Sequence, residues 1–189
     1  MKQKMFFAGS GGQGTLAIGQ MLAKAAMDEG KEVTWLPSYG PEMRGGTANC
    51  TVVVSDKPIA CPLINEADLL VVMNLPSLIK FESLVAPGGL LIINSSLVPE
   101  KAKRDDIRVR YVPANDDAMA LGNDKAANMV MLGAILKEIG IVSPDTVREE
   151  IRHMFSGRKV QAAGMHSPPP VSVRSNARII SPASSLRRW

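Results

Sequence analysis

The clearest chemical signature in the sequence is a cluster of glycines with the letters GSGGQG, from Gly9 to Gly14. Gly9, Gly11 and Gly14 fit the spacing GxGxxG, directly after an apolar run and before a helical pattern. Such glycines tolerate positive φ and let a phosphate approach the free N–H groups of a helix N-terminus. Gly12 and Gln13 belong to the same turn, and Gln13 adds a polar side chain. The segment predicts a phosphate site, or a tight connection that packs against a neighbouring chain.

A dinucleotide site needs one more residue than this turn supplies. The fingerprint expects an acid roughly 20 residues further on, at the end of the second strand, to hold a ribose hydroxyl. Thr34, Trp35 and Leu36 occupy that place, and Glu32 lies at the opposite end of the predicted strand. The pattern therefore disfavours binding of NAD or FAD.

A second polar loop, SYGPEMRGG, leaves the carboxyl end of the predicted second strand. It should lie beside the glycine turn, at the sheet edge where open α/β folds bind ligands. Tyr39, Glu42 and Arg44 offer an aromatic ring, a carboxylate and a guanidinium that can hold a carboxylate or phosphate bidentately. An ion pair between Glu42 and Arg44 that braces the loop is the alternative interpretation.

The remaining reactive side chains do not form a catalytic or metal-binding pattern. Cys50 and Cys61 cannot supply the four thiolates of an iron–sulfur cluster, and their spacing is not that of a CxxC pair. His153 and His166 lie in no Ser/His/Asp or Cys/His arrangement, and no GDG-type motif for a diphosphate and magnesium occurs. The sequence therefore predicts no catalytic residue and no metal ligand in this chain.

The flanking elements must position both loops, and hydrophobic patterning predicts strands that alternate with helices. The predicted strands are residues 4–8, 33–36, 48–54, 68–73, 90–94 and 107–112, and the predicted helices are 15–29, 76–85, 124–139 and 144–155. Pro87, Gly88 and Gly89 are predicted to form a turn. The run DLLVVM at 68–73 is entirely apolar, which is typical of a strand covered on both faces. The predicted fold class is α/β, a three-layer α/β/α sandwich with a mostly parallel, Rossmann-like sheet.

Charge divides the chain into two parts. The 22 basic and 18 acidic residues give a net charge of +4, but residues 157–189 hold six basic residues and no acidic one. Residues 1–156 therefore carry a net charge of −2. We predict a domain over 1–156 and a basic tail, rich in proline, serine and arginine, over 157–189, which is disordered or aberrant. A frameshifted reading frame and a genuine tail that binds an acidic partner or nucleic acid remain open.

The same composition indicates neither a membrane protein nor a secreted one. The uncharged stretch 126–136 is too short to cross a bilayer, and the stretch 83–99 is broken by Pro-Gly-Gly. The N-terminus lacks the apolar core of a secretory signal, so we expect a cytoplasmic protein. Aromatic residues make up 4% of the chain, too few for a base-stacking platform, and nucleic acid is not an expected partner of the domain.

Over residues 4–155 the chain closely resembles the gamma subunit of 2-oxoacid:ferredoxin oxidoreductases, because it carries in order GSGGQG, SYGPEMRGGTANC, SDKPIACPLI, DLLVVMN and PGGLLIINSS. The resemblance implies that a 2-oxoacid, coenzyme A and oxidised ferredoxin give acyl-CoA, carbon dioxide and reduced ferredoxin. It implies thiamine diphosphate and magnesium between alpha and beta subunits, and iron–sulfur clusters in a ferredoxin-like delta subunit or domain. The second loop looks more like the 2-oxoglutarate and branched-chain 2-oxoacid members than the pyruvate ones.

The resemblance also implies a role for both loops, which would contact the alpha subunit and help to enclose coenzyme A or substrate. Arg44 is the residue best suited to hold an anionic group. The open alternatives are a free-standing nucleotide- or phosphate-binding regulatory module and, from the tail alone, a nucleic-acid binder. The matching residues are Gly9, Gly11, Gly12, Gln13 and Gly14 in the first loop and Ser38, Tyr39, Gly40, Glu42, Arg44, Gly45 and Gly46 in the second.

Overall fold

The structure, a computed structural model, describes residues 1–39 and 47–163. Its strands are β1 (Lys2–Ser10), β2 (Glu32–Tyr39), β3 (Thr47–Ser55), β4 (Ala67–Val72), β5 (Val85–Asn94) and β6 (Arg108–Val112). Its helices are α1 (Thr15–Asp28), α2 (Leu75–Phe81), α3 (Ala114–Ala120), α4 (Ala127–Glu138) and α5 (Pro144–Ala163), with single 3₁₀ turns at Glu82–Leu84 and Asp124–Ala126.

All six strands join one sheet in the order β2-β3-β1-β4-β5-β6. The pairs β1/β4, β4/β5 and β5/β6 are parallel. Strand β3 lies between β1 and β2 and is antiparallel to both, so β2 runs in the same direction as β1. Only β3 is reversed in the described sheet, and the prediction of a mostly parallel sheet is confirmed.

Helices cover both faces of the sheet. Successive residues of the central strands point to opposite sides, so each strand contributes to two cores. Leu69 packs in one core with Ile18 of α1 and Leu132 of α4. Its neighbour Leu70 packs in a second core with Leu78 of α2. The three-layer α/β/α sandwich is confirmed, and so is the interpretation of β4 as a strand buried on both faces.

The predicted turn at Pro87-Gly88-Gly89 is part of β5 in the structure. Gly88 has a φ of 73° and donates its N–H to the Asp106 carbonyl at 2.8 Å. The register between β4 and β5 shifts between Ala67 and Leu69, beside this irregular segment. The prediction of a turn before a strand at 90–94 was wrong, because backbone hydrogen bonds hold these turn-forming residues within β5.

Two helices in the C-terminal half of the chain differ from the predicted helices in their presence or length. Helix α3 was not predicted, because its buried positions are the small residues Ala114 and Ala118, which give a weak apolar pattern. Helix α5 runs to Ala163, past the predicted end at residue 155. The domain boundary at 156 stays a prediction, and residues 164–189 of the tail lie outside the described residues. Within 1–39 and 47–163, no helix combines the length and apolarity needed to cross a bilayer.

Candidate functional site

The predicted strand–turn–helix unit forms at the glycine cluster. Strand β1 ends at Ser10, whose carbonyl accepts the Gln13 N–H at 3.2 Å, and α1 begins five residues later, at Thr15. Gly12 and Gly14 adopt positive φ angles of 92° and 73°. Gly14 is the N-cap of α1 and supplies no side-chain cap. The first-turn N–H groups of a 14-residue helix therefore lack a side-chain acceptor, which suits an approaching anion.

Close packing requires glycine at the start of this turn. A Cβ atom built on Gly9 would lie 2.5 Å from Thr15 Oγ1, 2.8 Å from Gln13 Oε1 and 3.0 Å from Met73 Cβ. A Cβ on Gly14 would collide with the Asn128 side chain, whereas one on Gly12 meets no atom within 4 Å. Other protein atoms therefore fill the space around Gly9 and Gly14, whereas the space at Gly12 is open. A ligand could contact the backbone of the turn at Gly12.

Gln13 folds back onto the turn instead of extending freely from it. Its Oε1 accepts the Ser10 backbone N–H at 2.7 Å and the Asn74 side-chain amide at 2.9 Å. Its Nε2 donates to the Met73 carbonyl at 3.3 Å. The side chain thus links β1 to the end of β4, and Gln13 also lines the cleft described below.

Asparagines at the ends of the next strands extend this polar network, and sequence reasoning did not predict them. Asn74 follows β4 and also donates to Ser10 Oγ at 2.7 Å. Asn94 ends β5, is fully buried, and donates to Asn115 Oδ1 at 2.8 Å and to the Met73 carbonyl at 3.4 Å. Among the described residues, nothing donates to Asn94 Oδ1. The available signal was that DLLVVMN and LLIIN both end in a polar residue at the carboxyl edge of a parallel sheet.

A cleft of about 300 Å³ opens beside the turn at this edge. It carries one cation, Lys125, one carboxylate, Asp124, and several side-chain amides. Both charged residues belong to the exposed 3₁₀ turn that precedes α4. Amide N–H groups, an ammonium group and open glycine backbone together match a phosphate-bearing ligand. The lining residues are Gly12, Gln13, Met73, Leu97, Asn115, Asp124, Lys125, Ala127 and Asn128.

The second loop begins at the end of β2, two strands from the glycine turn, and ends at the start of β3, directly beside it. Tyr39 pairs with Ala48, and Thr47 pairs with Ser10 at the end of β1. The structure therefore confirms that this loop departs from, and returns to, the edge that carries the cleft. Ser38 is exposed at the end of β2. The predictions for the side chain of Tyr39 and for Gly40, Glu42, Arg44, Gly45 and Gly46 fall outside what is described.

Strand order is a second argument against a dinucleotide site. In such a fold the ribose-binding acid ends the strand adjacent to the glycine turn. Here β3 lies between β1 and β2. The end of β2 is thus two strand spacings, or about 10 Å, from the end of β1. An acid on β2 would not reach the ribose of a nucleotide whose phosphate sits on Gly12.

Neither cysteine is placed to share a metal site with the other. Cys50 is buried beneath α1, where burial raises the pKa of its thiol to about 12. Cys61 is exposed in the segment before β4. Within residues 1–39 and 47–163, no three Cys, His, Asp or Glu side chains converge as metal ligands would. His153 is exposed on α5, and His166 lies beyond the described residues.

Comparison with known proteins identifies related chains. The family model for pyruvate ferredoxin/flavodoxin oxidoreductase matches residues 4–165. The ketoisovalerate oxidoreductase subunit VorA of Methanothermobacter marburgensis is 40% identical over 153 residues, which are 80% of this chain and 32% of VorA. The 2-oxoglutarate synthase subunit KorC of Methanothermobacter thermautotrophicus is 37% identical over 159 residues, which are 80% of this chain and 84% of KorC.

One solved structure supports the same grouping. The gamma subunit of a keto/oxoacid ferredoxin oxidoreductase from Geobacter sulfurreducens superposes with a TM-score of 0.68 at 29% identity, over 79% of this chain and 84% of that one. The chain spans about a third of the length of VorA but most of KorC and of the Geobacter subunit.

Proposed function

We propose that this chain, which belongs to the pyruvate ferredoxin/flavodoxin oxidoreductase family, is the gamma subunit of a 2-oxoacid:ferredoxin oxidoreductase. The complex would convert a 2-oxoacid and coenzyme A into acyl-CoA and carbon dioxide and pass two electrons to ferredoxin. The observation that carries this proposal is the family match over residues 4–165 on a domain that keeps a glycine turn beside a polar cleft. The preferred substrate is 2-oxoglutarate or a branched-chain 2-oxoacid, as the names of the KorC and VorA relatives suggest.

The side chains of this domain favour an accessory role. A buried thiol and an exposed thiol do not fit an iron–sulfur cluster. The described residues also offer no clustered acids to hold the magnesium of thiamine diphosphate. We therefore assign thiamine diphosphate and magnesium to the alpha and beta subunits, and the clusters to a ferredoxin-like delta subunit or domain. Thiamine diphosphate would supply the carbanion chemistry of decarboxylation. The cytoplasmic location stays a prediction.

Coenzyme A is the ligand that we assign to the cleft. Its phosphates are anions, and the uncapped N-terminus of α1, the open backbone at Gly12 and the ammonium group of Lys125 all favour an anion. A volume of about 300 Å³ is at the lower end for a ligand pocket, so it would enclose only part of coenzyme A. The remainder would contact the second loop, including Arg44, and the alpha subunit.

Lys125 and Arg44 provide tests of this assignment in the purified complex. Lys125→Ala should raise the KM for coenzyme A about 5- to 30-fold, since a hydrogen bond to a charged group contributes about 1–2 kcal/mol at an exposed site. Lys137→Ala, at the other end of α4, is the matched control and should leave the KM unchanged. If Arg44→Ala altered neither subunit assembly nor the KM values for coenzyme A and 2-oxoacid, the role assigned to Arg44 would be wrong.

Copurification tests the subunit assignment itself. A tagged copy of the chain, expressed in the source organism, should bring down alpha and beta partners in stoichiometric amounts, together with thiamine diphosphate and iron. The chain produced alone should be colourless and inactive. Recovery of a single free chain with a stoichiometric bound nucleotide would instead support the regulatory module.

A further inference from the structure

Asn74 joins helix α2 to the glycine turn through the hydrogen bonds of its side chain. It follows β4 and forms the N-cap of α2, where its Oδ1 accepts the Ser77 backbone N–H at 3.0 Å. Its Nδ2 donates to Ser10 Oγ at 2.7 Å and to Gln13 Oε1 at 2.9 Å. Both side-chain hydrogens of Asn74 are thus used, and Asn74 is not among the residues that line the cleft, so it would act on a ligand there through its neighbours.

Main-chain donors determine the orientation of both amides. The Ser77 N–H must meet an oxygen, which places Asn74 Oδ1 toward α2 and turns Nδ2 toward the glycine turn. The Ser10 N–H must likewise meet an oxygen, which places Gln13 Oε1 toward Ser10 and Asn74. The Gln13 Nε2 group then faces the other way and donates one hydrogen to the Met73 carbonyl. No described residue accepts its second hydrogen.

We infer that Asn74 is a positioning residue that holds the Gln13 amide with its N–H side toward the ligand cleft. Gln13 lines that cleft, where an N–H donor attracts a phosphate or carbonyl oxygen and an amide oxygen would repel it. This inference deepens the proposed function and rests on coenzyme A occupying the cleft. Asn74 thereby couples the end of β4 to the ligand-binding surface of the turn after β1.

A substitution can separate this role from the capping of α2. Aspartate and serine cap helices about as well as asparagine, so Asn74→Asp and Asn74→Ser retain the acceptor for the Ser77 N–H. Aspartate has no hydrogens for Ser10 Oγ and Gln13 Oε1, and its second oxygen would repel Gln13 Oε1. Serine is too short to reach both partners and adds no charge. Either change releases the Gln13 amide while the helix remains capped.

Steady-state kinetics of the assembled complex test the inference. Asn74→Asp and Asn74→Ser should each raise the KM for coenzyme A about fivefold or more, with kcat and the KM for 2-oxoacid nearly unchanged. Asn65→Asp introduces the same charge in the exposed segment before β4, at the opposite edge of the sheet, and should change neither constant. The serine variant decides the matter if the aspartate variant fails to assemble.

A double-mutant cycle separates the placement of coenzyme A at the glycine turn from the positioning role of Asn74. Gln13→Ala should raise the KM for coenzyme A, and Asn74→Ser should add nothing in the Gln13→Ala background, because it acts through the missing amide. An unchanged KM in Gln13→Ala would contradict the placement of coenzyme A at the turn. If the KM for coenzyme A rose in Gln13→Ala, the positioning role alone would be overturned by either of two results. These are an unchanged KM in Asn74→Ser, or fully additive effects of the two substitutions on the KM.

Discussion

Gly12 and Gly14 provide a matched pair for measuring how tightly the glycine turn is packed. Both residues adopt the left-handed conformation, with φ of 92° and 73°. A Cβ atom on Gly12 would meet nothing within 4 Å, whereas a Cβ atom on Gly14 would collide with the side chain of Asn128. Alanine at the two positions therefore differs chiefly in steric cost.

The expected losses of unfolding free energy follow from these two environments. Gly12→Ala bears only the left-handed backbone cost, about 1–2 kcal/mol. Gly14→Ala adds an overpacking cost of about 1–3 kcal/mol, for a total of about 2–5 kcal/mol. Gly14→Ala should thus be the less stable variant by about 1–3 kcal/mol, although the substitution is chemically the same.

Urea denaturation of the full chain, followed by far-UV circular dichroism, measures both losses. Measured against Asn128→Gly alone, which has its own cost of up to about 1 kcal/mol for a glycine in α4, Gly14→Ala should lose only about as much as Gly12→Ala, because removal of the Asn128 side chain and its Cβ clears the contact. Equal losses for Gly12→Ala and Gly14→Ala, or no recovery in the double variant, would refute this description of the turn.

Three further predictions concern the scaffold. Gly19→Ala should reduce the free energy of unfolding by about 1–3 kcal/mol, because its Cβ would lie 2.5 Å from Cys50 Sγ. Cys50→Ala in the same chain should recover part of that loss, and strictly additive effects of the two substitutions in urea denaturation would contradict this contact. In the folded chain, one thiol, that of Cys61, should react with a disulfide reagent at about pH 8, because burial raises the pKa of Cys50 to about 12. Both thiols should react in urea, and two fast-reacting thiols in the folded chain would be inconsistent with the burial of Cys50. Arg104 lowers the pKa of Asp106, so the pair stabilises the fold above the unfolded-state pKa of about 4 and its contribution disappears as the pH falls through the folded-state value. Asp106→Asn should therefore reduce the urea midpoint more at about pH 7 than at about pH 2, and an equal reduction at both would argue against the ion pair.

The central sheet was predictable because its strands carry strong local signals. The run DLLVVM is apolar at every position, and the structure buries it between two cores. The reversal of β3 was not predictable from composition. It depends on long-range pairing, in which Thr47 lies opposite Ser10 and Ser55 lies opposite both Lys2 and Glu32. Helix α3 was missed because alanines at its buried positions leave little apolar periodicity.

The site was predictable as far as glycine spacing could indicate it. Of the three glycines in the GxGxxG spacing, Gly14 adopts the suggested positive φ, whereas Gly9 and Gly11 do not; Gly12, between the spaced positions, also has a positive φ. The family assigned from the motifs is confirmed by the match over residues 4–165. The network of Asn74 and Asn94 could not be predicted, because it depends on which strand ends become neighbours in the sheet. Glu42 and Arg44 stay predictions.

Substrate oxidation by the native complex tests whether this chain is the gamma subunit of a 2-oxoacid:ferredoxin oxidoreductase. The complex that copurifies with this chain would be incubated with coenzyme A, oxidised ferredoxin and a panel of 2-oxoacids, and ferredoxin reduction and acyl-CoA formation would be followed together. We expect reduction that requires coenzyme A and is fastest with 2-oxoglutarate or a branched-chain 2-oxoacid, with one acyl-CoA formed per two electrons. Absence of coenzyme A-dependent reduction with every 2-oxoacid, in a complex that retains thiamine diphosphate and iron, would contradict it.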